Sequence, residues 1–321
     1  MAHRVLLSAP YLLPVIDAFR PLLDASGIEL VPAPVEERLS EDELMKYAGQ
    51  VDGVVCGDDQ FSQRVLAAFA PRLKVISKWG TGIDSIDCQA AERLGVRVCN
   101  TPGAFAHPVA DTVMAYILLF ARRTPWMDRE MKAGRWDKIP GKTLRECTLG
   151  VVGVGHCGRE VLRRAKAFGM HLLGNDVIRI PEEFLGEVGV EMLGLEDLLR
   201  QSDFVSLNCD LNPTSFHLVN SQRLALLSPR AVLVNASRGP VVDEPALVEA
   251  LRAGRLAGAA LDVFEQEPLP LDSPLRSFDN VLLAPHNANS SPEAWARVHR
   301  NTLRNLLAGL GLEVPAELEV A

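Results

Sequence analysis

The sequence predicts an α/β protein with two domains, each built on a parallel β-sheet covered by helices. A chain of 321 residues has the length of about two average domains. Short apolar runs alternate with helix-like segments along most of the chain, and this alternation is typical of parallel sheets. A glycine-rich segment follows one apolar run near the middle of the chain, in the position of a nucleotide-binding turn.

Composition and charge exclude several classes of protein. Apolar residues make up 48% of the chain and charged residues 23%, which is close to the globular average and too rich in core-forming side chains for a disordered protein. The longest apolar run, Val113 to Ala121, is far shorter than the roughly 20 residues of a membrane span. The net charge is −8 and no basic block is present, so nucleic acids and membranes are poor partners. An anionic substrate therefore needs a local cationic site.

The six cysteines show no spacing typical of a metal or redox site. Their closest pair lies ten positions apart, so no CxxC motif exists and no metal site is predicted. We expect reduced, mostly buried thiols in a cytoplasmic protein. The N-terminal apolar run weakly resembles a secretion signal, but Pro10 and Pro14 interrupt it, and a first strand and loop are favoured.

The first hundred residues predict five strands and four helices. Ser40 with Glu43 forms a capping box, and Ser62 is placed to cap the next helix. The predicted strands are Arg4–Ala9, Ile28–Pro32, Gly53–Gly57, Leu73–Ser77 and Val96–Cys99, and the predicted helices are Pro14–Ala25, Glu41–Ala48, Ser62–Ala70 and Cys88–Leu94.

A second series of strands and helices follows a break at Asn100–Gly103. It is preceded by the strongest helix of the chain, Val109 to Arg122, and by a polar segment, Thr124 to Thr143, predicted as a loop or arm. A last helix is predicted at Pro292–Leu310, with a loose tail at Gly311–Ala321. The strands predicted in this series are Thr148–Gly153, His171–Asn175, Phe204–Asn208, Ala231–Asn235, Gly258–Val263 and Val281–Ala284.

The second series opens with a G-x-G-x-x-G motif between an apolar strand and an amphipathic helix. In such a motif Gly153 permits the tight turn, Gly155 lets the backbone approach a pyrophosphate, and Gly158 lets the helix pack closely on the strand. The helix then begins at His156 and Cys157, whose N–H groups face the phosphates. We therefore predict a dinucleotide site here.

Asp176 ends the next strand, eighteen residues after the last glycine of the motif. An acidic residue at this point accepts hydrogen bonds from the ribose hydroxyls and repels a 2′-phosphate. The sequence therefore predicts NAD rather than NADP, although Arg179 nearby would soften the preference.

Polar residues follow three later strands. Arg238 follows one strand, Asp262 and Glu267 follow the next, and His286 follows the last. Ligands of doubly wound sheets bind beyond the carboxyl ends of the strands, so we expect these four side chains to converge near the nicotinamide. Ala236, in the loop before Arg238, is placed among the cofactor contacts.

The sequence resembles the D-isomer-specific 2-hydroxyacid dehydrogenase family, which includes phosphoglycerate, glycerate/glyoxylate and D-lactate dehydrogenases. The resemblance covers nearly the whole chain and is strongest between residues 150 and 286. The segments that carry it are GTGIDSID at residues 80–87, VNASRG at 234–239 and AALDVF at 259–264.

The resemblance assigns roles to several residues. It implies that Arg238 grips the substrate, that Glu267 supports His286, and that Asp262 faces the nicotinamide amide. It also implies that the loop at Thr81 and Gly82 offers backbone N–H groups to the substrate carboxylate. Phosphoglycerate dehydrogenases often carry an arginine at the position of Lys78, so Lys78 is a candidate for binding a carboxylate or a distal phosphate.

The resemblance also implies the domain arrangement. A flavodoxin-like substrate domain would comprise residues 1–101 and 288–321, and a Rossmann NAD-binding domain would be inserted as residues 102–287. The cleft between the domains would close on substrate and exclude water. The segment from Trp126 to Trp136 resembles the dimer-forming arm of the family, so we predict a homodimer.

These features predict an NAD-dependent dehydrogenase that moves a hydride between the nicotinamide and C2 of a small anionic D-2-hydroxy or 2-oxo acid. Protonated His286 would donate to the carbonyl oxygen, and Glu267 would favour the charged imidazole. Two alternatives use the same fold: an NADH-responsive binding protein resembling transcriptional corepressors, and an enzyme resembling formate dehydrogenase. The sequence does not distinguish among individual 2-oxo acids.

Overall fold

The computed structural model describes residues 2–319, which form twelve strands and twelve α-helices joined by short 3₁₀ turns. The strands are β1 (His3–Ser8), β2 (Ile28–Pro32), β3 (Gly53–Cys56), β4 (Val75–Lys78), β5 (Arg97–Cys99), β6 (Thr148–Val152), β7 (His171–Asn175), β8 (Glu191–Met192), β9 (Phe204–Leu207), β10 (Val232–Asn235), β11 (Gly258–Leu261) and β12 (Val281–Leu283). The helices are α1 (Arg20–Ala25), α2 (Glu41–Leu44), α3 (Gln63–Phe69), α4 (Cys88–Arg93), α5 (Ala106–Arg122), α6 (Thr124–Lys132), α7 (His156–Ala167), α8 (Glu182–Val188), α9 (Leu195–Gln201), α10 (Ser221–Leu224), α11 (Glu244–Arg252) and α12 (Pro292–Gly309).

The chain divides into two compact units. Unit 1 comprises the residues up to Phe105 together with those from Ser291 onward, and unit 2 is the continuous segment Ala106–Ser290. Each unit contains one parallel sheet with helices, so the predicted α/β fold class is confirmed. No helix within residues 2–319 combines the length and apolar character needed to cross a membrane.

The sheet of unit 1 has the strand order β2-β1-β3-β4-β5, which is the flavodoxin-like order. Its inner strands β3 and β4 are fully buried, as expected for a parallel sheet that is covered by helices. Helix α12 packs on one face, where Leu306 lies against Gly53 of β3. Two hydrogen bonds also tie α12 to β4 and the residue after it. Ser77 Oγ donates to the carbonyl oxygen of Thr302 at 2.7 Å, and Trp79 Nε1 donates to His299 Nδ1 at 2.9 Å.

The sheet of unit 2 has the strand order β12-β11-β10-β9-β6-β7-β8. Numbered from β6, this is the Rossmann order 3-2-1-4-5-6 with one further strand at the far edge. The order changes direction between β6 and β9, the position at which doubly wound sheets bind nucleotides. Helix α7 follows β6 directly and packs against α5. The glycine motif therefore lies at the nucleotide-binding point of the sheet.

The capping predictions at Ser40 and Ser62 are confirmed, because each side chain accepts an N–H from its helix. Two predictions about the first unit were wrong in detail. The first predicted helix is a 3₁₀ turn, Leu13–Ala18, followed by the short helix α1. Of the predicted loose tail, Ala316–Leu318 form a 3₁₀ turn with Leu318 fully buried, and residues 320–321 lie outside the described residues.

The polar segment predicted as a loop or arm begins with helix α6. Pro125 occupies its first turn, where a missing N–H costs nothing. Trp126 is buried against Phe120, and its Nε1 donates to the carbonyl oxygen of Asp279 at 3.0 Å. Only the part after α6 is irregular, and there Trp136 is 84% exposed.

All six cysteines are free thiols in the described structure. Cys56 and Cys147 are buried, and burial also raises the pKa of the Cys157 and Cys209 thiols, as expected for mostly buried thiols. As whole residues, Cys88, Cys99, Cys157 and Cys209 are partly exposed.

Candidate active site in unit 2

The turn between β6 and α7 has the backbone geometry that its glycines predict. Gly153 has a φ of +88°, and a Cβ there would lie 2.6 Å from the backbone nitrogen of Cys209. A Cβ on Gly158 would overlap the carbonyl oxygen of Gly153. Gly155 has nothing within 4 Å of its Cβ position. The turn thus has no room for a side chain at Gly153 or Gly158, whereas the space beside Gly155 is free for a pyrophosphate.

The start of α7 offers unpaired backbone donors beside this open position. Gly155 is the N-cap and has no side chain to satisfy the first N–H groups, which belong to His156, Cys157 and Gly158. Burial, helped by the charge of Asp210 and opposed by that of Arg238, raises the pKa of the Cys157 thiol to about 11. The thiol is therefore neutral at physiological pH and does not repel a phosphate.

Asp176 follows β7 and holds the glycine turn from the other side. Its Oδ2 accepts the N–H of Val154 at 2.6 Å, and its Oδ1 accepts the N–H of Ile178 at 3.0 Å. A carboxylate has about four acceptor positions, so these two bonds leave capacity for ribose hydroxyls. The open glycine, the helix N-terminus and this carboxylate together fit an NAD molecule.

His286 and Glu267 form a hydrogen-bonded pair. His286 Nδ1 lies 3.0 Å from Glu267 Oε2, and Glu267 Oε1 accepts the N–H of Phe264 at 3.0 Å. Burial acts to raise the pKa of Glu267. The bond and charge of His286, the Phe264 N–H and the charge of Arg238 outweigh it and hold the pKa below its ordinary value. Glu267 is therefore a carboxylate at neutral pH.

Asp262 fixes the backbone that carries His286. The Asp262 carbonyl oxygen accepts the N–H of His286 at 2.7 Å, and its carboxylate oxygens accept the N–H groups of Asn287 at 2.9 Å and Ala288 at 2.8 Å. His286 has a φ of +50°, a backbone conformation that residues other than glycine seldom adopt. Tyr116 of α5 places its hydroxyl 3.5 Å from the same carboxylate, which is 1% exposed. Sequence reasoning missed this positioning role, because it depends on contacts between distant parts of the chain.

Arg238 leaves β10 in a loop that packs on the segment carrying Glu267. Asn235 Nδ2 donates to the Arg238 carbonyl oxygen at 2.9 Å and so closes the loop. A Cβ on the next residue, Gly239, would overlap the carbonyl group of Phe264. Gly239 thus allows the two segments to touch, and the positive charge of Arg238 helps to lower the pKa of Glu267. The glycine that follows Arg238 is the sequence feature that could have indicated this approach.

The predicted residues of the first domain form a second group, within unit 1. Thr81 and Gly82 lie in the turn after β4, where Thr81 Oγ1 donates to the carbonyl oxygen of Thr101 at 3.1 Å. Lys78, at the end of β4, is 3% exposed. Its ammonium lies 3.0 Å from Asp58 Oδ1 and donates to the Trp79 carbonyl oxygen at 3.1 Å. Lys78 is therefore a paired, buried cation.

Unit 2 brings together the other predicted residues of the acid–base group: Arg238, Asp262, Glu267 and His286, with Ala236 partly exposed in the arginine loop.

Comparison with known proteins identifies the family. Residues 114–288 match the model of the D-isomer specific 2-hydroxyacid dehydrogenase NAD binding domain. A glyoxylate reductase of Korarchaeum cryptofilum is 43% identical over 255 residues, covering 78% of this chain and 76% of the relative. A hydroxypyruvate reductase of Thermotoga maritima is 37% identical over 281 residues, which cover 86% of this chain and 90% of the relative.

A solved structure shows the same fold with a cofactor bound. The D-lactate dehydrogenase of Aquifex aeolicus, complexed with NAD and lactic acid, is 25% identical and covers 97% of this chain and 99% of its own, with a TM-score of 0.83. The strand orders, the glycine turn, the family model and these relatives agree. The chain belongs to the D-isomer specific 2-hydroxyacid dehydrogenase family of NAD-binding oxidoreductases.

Proposed function

We propose that this protein is an NAD-dependent dehydrogenase that reduces a small 2-oxo acid, or oxidises the matching D-2-hydroxy acid, with His286 as the acid–base group. The observation that carries the proposal is the bond between His286 Nδ1 and Glu267 Oε2 at 3.0 Å. A hydroxyl forms or is lost at C2 in this reaction, so the reaction needs a group that donates or accepts one proton there.

The chain's own residues supply the proton and the substrate position. NAD, when bound, accepts or supplies the hydride at its nicotinamide. Glu267 stabilises the charged imidazole and orients its ring, so proton transfer falls to Nε2 of His286. The Arg238 guanidinium binds the carboxylate and the C2 oxygen through its fork of donors. Asp262 holds the His286 loop in place.

The substrate is proposed to be a small 2-oxo acid such as glyoxylate or hydroxypyruvate. The relatives named glyoxylate reductase and hydroxypyruvate reductase support this range, since they match most of the chain. The acid–base pair favours this function over the two alternatives. A nucleotide-sensing protein does not need a proton donor, and formate oxidation releases no hydroxyl proton.

The test is turnover by the wild type and a histidine variant. NADH oxidation would be measured with glyoxylate, hydroxypyruvate, pyruvate and 3-phosphohydroxypyruvate. On the best substrate, His286→Asn is expected to lower kcat by a factor of about 10²–10⁴. His217→Asn is the matched control. His217 also has a positive φ, of +47°, and its Nε2 lies 2.8 Å from Glu265 Oε1. The control should keep near-normal kcat. Turnover of no 2-oxo acid by the wild type, or near-normal kcat in His286→Asn, would contradict the proposal.

A further inference from the structure

Two hydroxyl groups of helix α5 contact the segment that carries His286. Thr112 Oγ1 donates to the carbonyl oxygen of Ala288 at 3.5 Å, and the Tyr116 hydroxyl donates to Asp262 Oδ1, also at 3.5 Å. Residues four positions apart lie on the same face of an α-helix, so one turn of α5 supplies both donors. Asp262 and Ala288 are themselves joined, because the Ala288 N–H donates to Asp262 Oδ2 at 2.8 Å. The two hydroxyls therefore bind both ends of one bridge.

The Tyr116 hydroxyl lies in a buried and charged environment. Tyr116 is 8% exposed and Asp262 is 1% exposed, so water has little access to the contact between them. Burial, together with the charge and the bond of Asp262, raises the pKa of the Tyr116 hydroxyl far above its ordinary value. Tyr116 is therefore protonated at physiological pH and able to donate. The buried carboxylate needs such donors, because an unpaired charge inside a protein is strongly destabilising.

The three donors to the Asp262 carboxylate belong to different parts of unit 2. The N–H groups of Asn287 and Ala288 belong to the His286 loop itself and move with it. Tyr116 belongs to a helix of 17 residues that packs along α7. Within residues 2–319, its hydroxyl is the only donor to this carboxylate from outside the loop. It therefore connects the loop to a long helix.

We propose that Thr112 and Tyr116 are positioning residues for His286, which keep its loop in place beside Glu267. The inference rests on the proposed function, since it takes His286 as the acid–base group. The positive φ of His286 persists only if the surrounding contacts hold it. A small displacement of a proton donor slows the reaction without weakening cofactor binding. Both contacts are long for O–H···O bonds, so each hydroxyl should contribute far less than His286 itself.

Tyr116→Phe and Thr112→Val keep the approximate shape of each side chain and remove the hydroxyl. Each should lower kcat on the best 2-oxo acid by a factor of about 3–10, while the Kd for NADH, measured by fluorescence, changes less than about twofold. Thr112→Ser keeps a hydroxyl and should keep kcat. Ser202→Ala is the matched control, because the buried Ser202 hydroxyl donates to the Leu198 carbonyl oxygen at 2.7 Å elsewhere in unit 2. The control should lower the melting temperature and leave kcat unchanged.

Two further measurements separate positioning from a general loss of stability. In Asp262→Ala the Tyr116 hydroxyl has lost its acceptor, so adding Tyr116→Phe to this variant should change kcat by less than about twofold. Hydrogen exchange of the protein without ligands reports on the loop directly. The amides of Asn287 and Ala288 should exchange about 3–10 times faster in Tyr116→Phe than in the wild type, and no faster in Ser202→Ala.

The possible failures of the inference and of the proposed function are distinguishable. Unchanged kcat in Tyr116→Phe and Thr112→Val, with a wild type that reduces a 2-oxo acid, overturns the inference and leaves the proposed function standing. An equal loss of kcat in Ser202→Ala also overturns it, since the effect is then one of stability. Unchanged exchange at the two amides overturns the inference whatever the wild type reduces. A wild type that reduces no 2-oxo acid overturns the proposed function and the inference with it.

Discussion

The carbonyl oxygen of Asp262 accepts the N–H of His286 at 2.7 Å, across 24 positions of sequence. The carboxylate of the same residue accepts the N–H groups of Asn287 and Ala288. Three consecutive donors thus bind one residue, and this arrangement holds His286 at its positive φ. The ring of His286 is therefore positioned by two acids, one on its backbone and one on its Nδ1.

Asp262→Asn should lower kcat at least tenfold. The amide retains one acceptor oxygen but presents an NH₂ group to the second backbone N–H, so the loop that carries His286 loses a buried bond worth about 1–3 kcal/mol. Steady-state kinetics with the best 2-oxo acid measures the effect. Asp203→Asn is the control, since Asp203 Oδ2 accepts the Thr148 N–H at 3.0 Å elsewhere in unit 2. The control should lower the melting temperature and spare kcat; an equal loss of kcat in both variants would refute the positioning role.

Glu267→Gln should move the falling limb of the kcat/KM profile for reduction to lower pH. Reduction requires a protonated donor, so kcat/KM is high at low pH and declines as pH rises. The Glu267 carboxylate, 3.0 Å from His286 Nδ1, favours the protonated imidazole and so moves the decline in kcat/KM to higher pH. The pKa of Glu267 is below its ordinary value, so the carboxylate keeps this effect until the pH falls through that lowered value. Glu265→Gln is the matched control at His217. If the falling limb of the kcat/KM profile stayed at the same pH in Glu267→Gln, the proposed acid–base role of the His286–Glu267 pair would be wrong.

Asp176→Ala should narrow the preference for NADH over NADPH. We expect the wild type to favour NADH in kcat/KM by tenfold or more, or about 1.4 kcal/mol. The carboxylate repels a 2′-phosphate, and the variant removes that repulsion. Since Asp176 also binds the Val154 N–H, both cofactors should lose some affinity. Equal kcat/KM for the two cofactors in the wild type would contradict this assignment. Arg179→Ala should not narrow the preference.

Asp59→Asn should remove a pH dependence of stability. Burial, opposed by the Leu39 N–H and the Ser8 hydroxyl, raises the pKa of Asp59 to about 6. The folded protein therefore binds this proton more tightly than the unfolded chain, and stability falls as pH rises towards and through 6. Between pH 4.5 and 7.5 the wild type should lose about 2 kcal/mol relative to Asp59→Asn, as measured by urea unfolding. A constant difference between the two proteins would show that Asp59 does not titrate in this range.

Trp136→Glu should convert the predicted homodimer to a monomer. The indole is 84% exposed on the segment after α6, and a charged side chain cannot be buried there without a partner. Size-exclusion chromatography with light scattering measures the mass, and the dimer dissociation constant should rise at least tenfold. Leu271→Glu is the control, because Leu271 is 92% exposed in another part of unit 2. A wild-type monomer would refute the dimer prediction.

Local patterns were sufficient to predict most of the sheets. Fully buried parallel strands such as β9 and β10 are short and mostly apolar, and their positions were found within one residue. The edge strand β8 has only two residues and one of them is exposed, which leaves no apolar run to detect. Helix α6 was missed although Pro125 marks its first turn, because its polar composition outweighed that signal.

The residue types of the site were predictable, but only one of its contacts was. The His286–Glu267 bond follows from the resemblance, whereas the bonds of Asp262 to Asn287 and Ala288 join a side chain to backbone groups of a distant loop. The same limit applies to Lys78. The resemblance makes Lys78 a candidate for binding an anion, and only the structure shows that Asp58 pairs with its ammonium.

The position of α12 in the chain has a consequence for the order of folding. Unit 2 is one uninterrupted segment, whereas α12 reaches β3 and β4 of unit 1 only after the whole of unit 2 has been synthesised. Until then Trp79 lacks its acceptor on His299, and the strand face that Leu306 covers is left open. Domains generally fold as units while the ribosome is still translating. Unit 2 can therefore fold before α12 is in place, and the sheet of unit 1 is completed only after the whole of unit 2 has been synthesised.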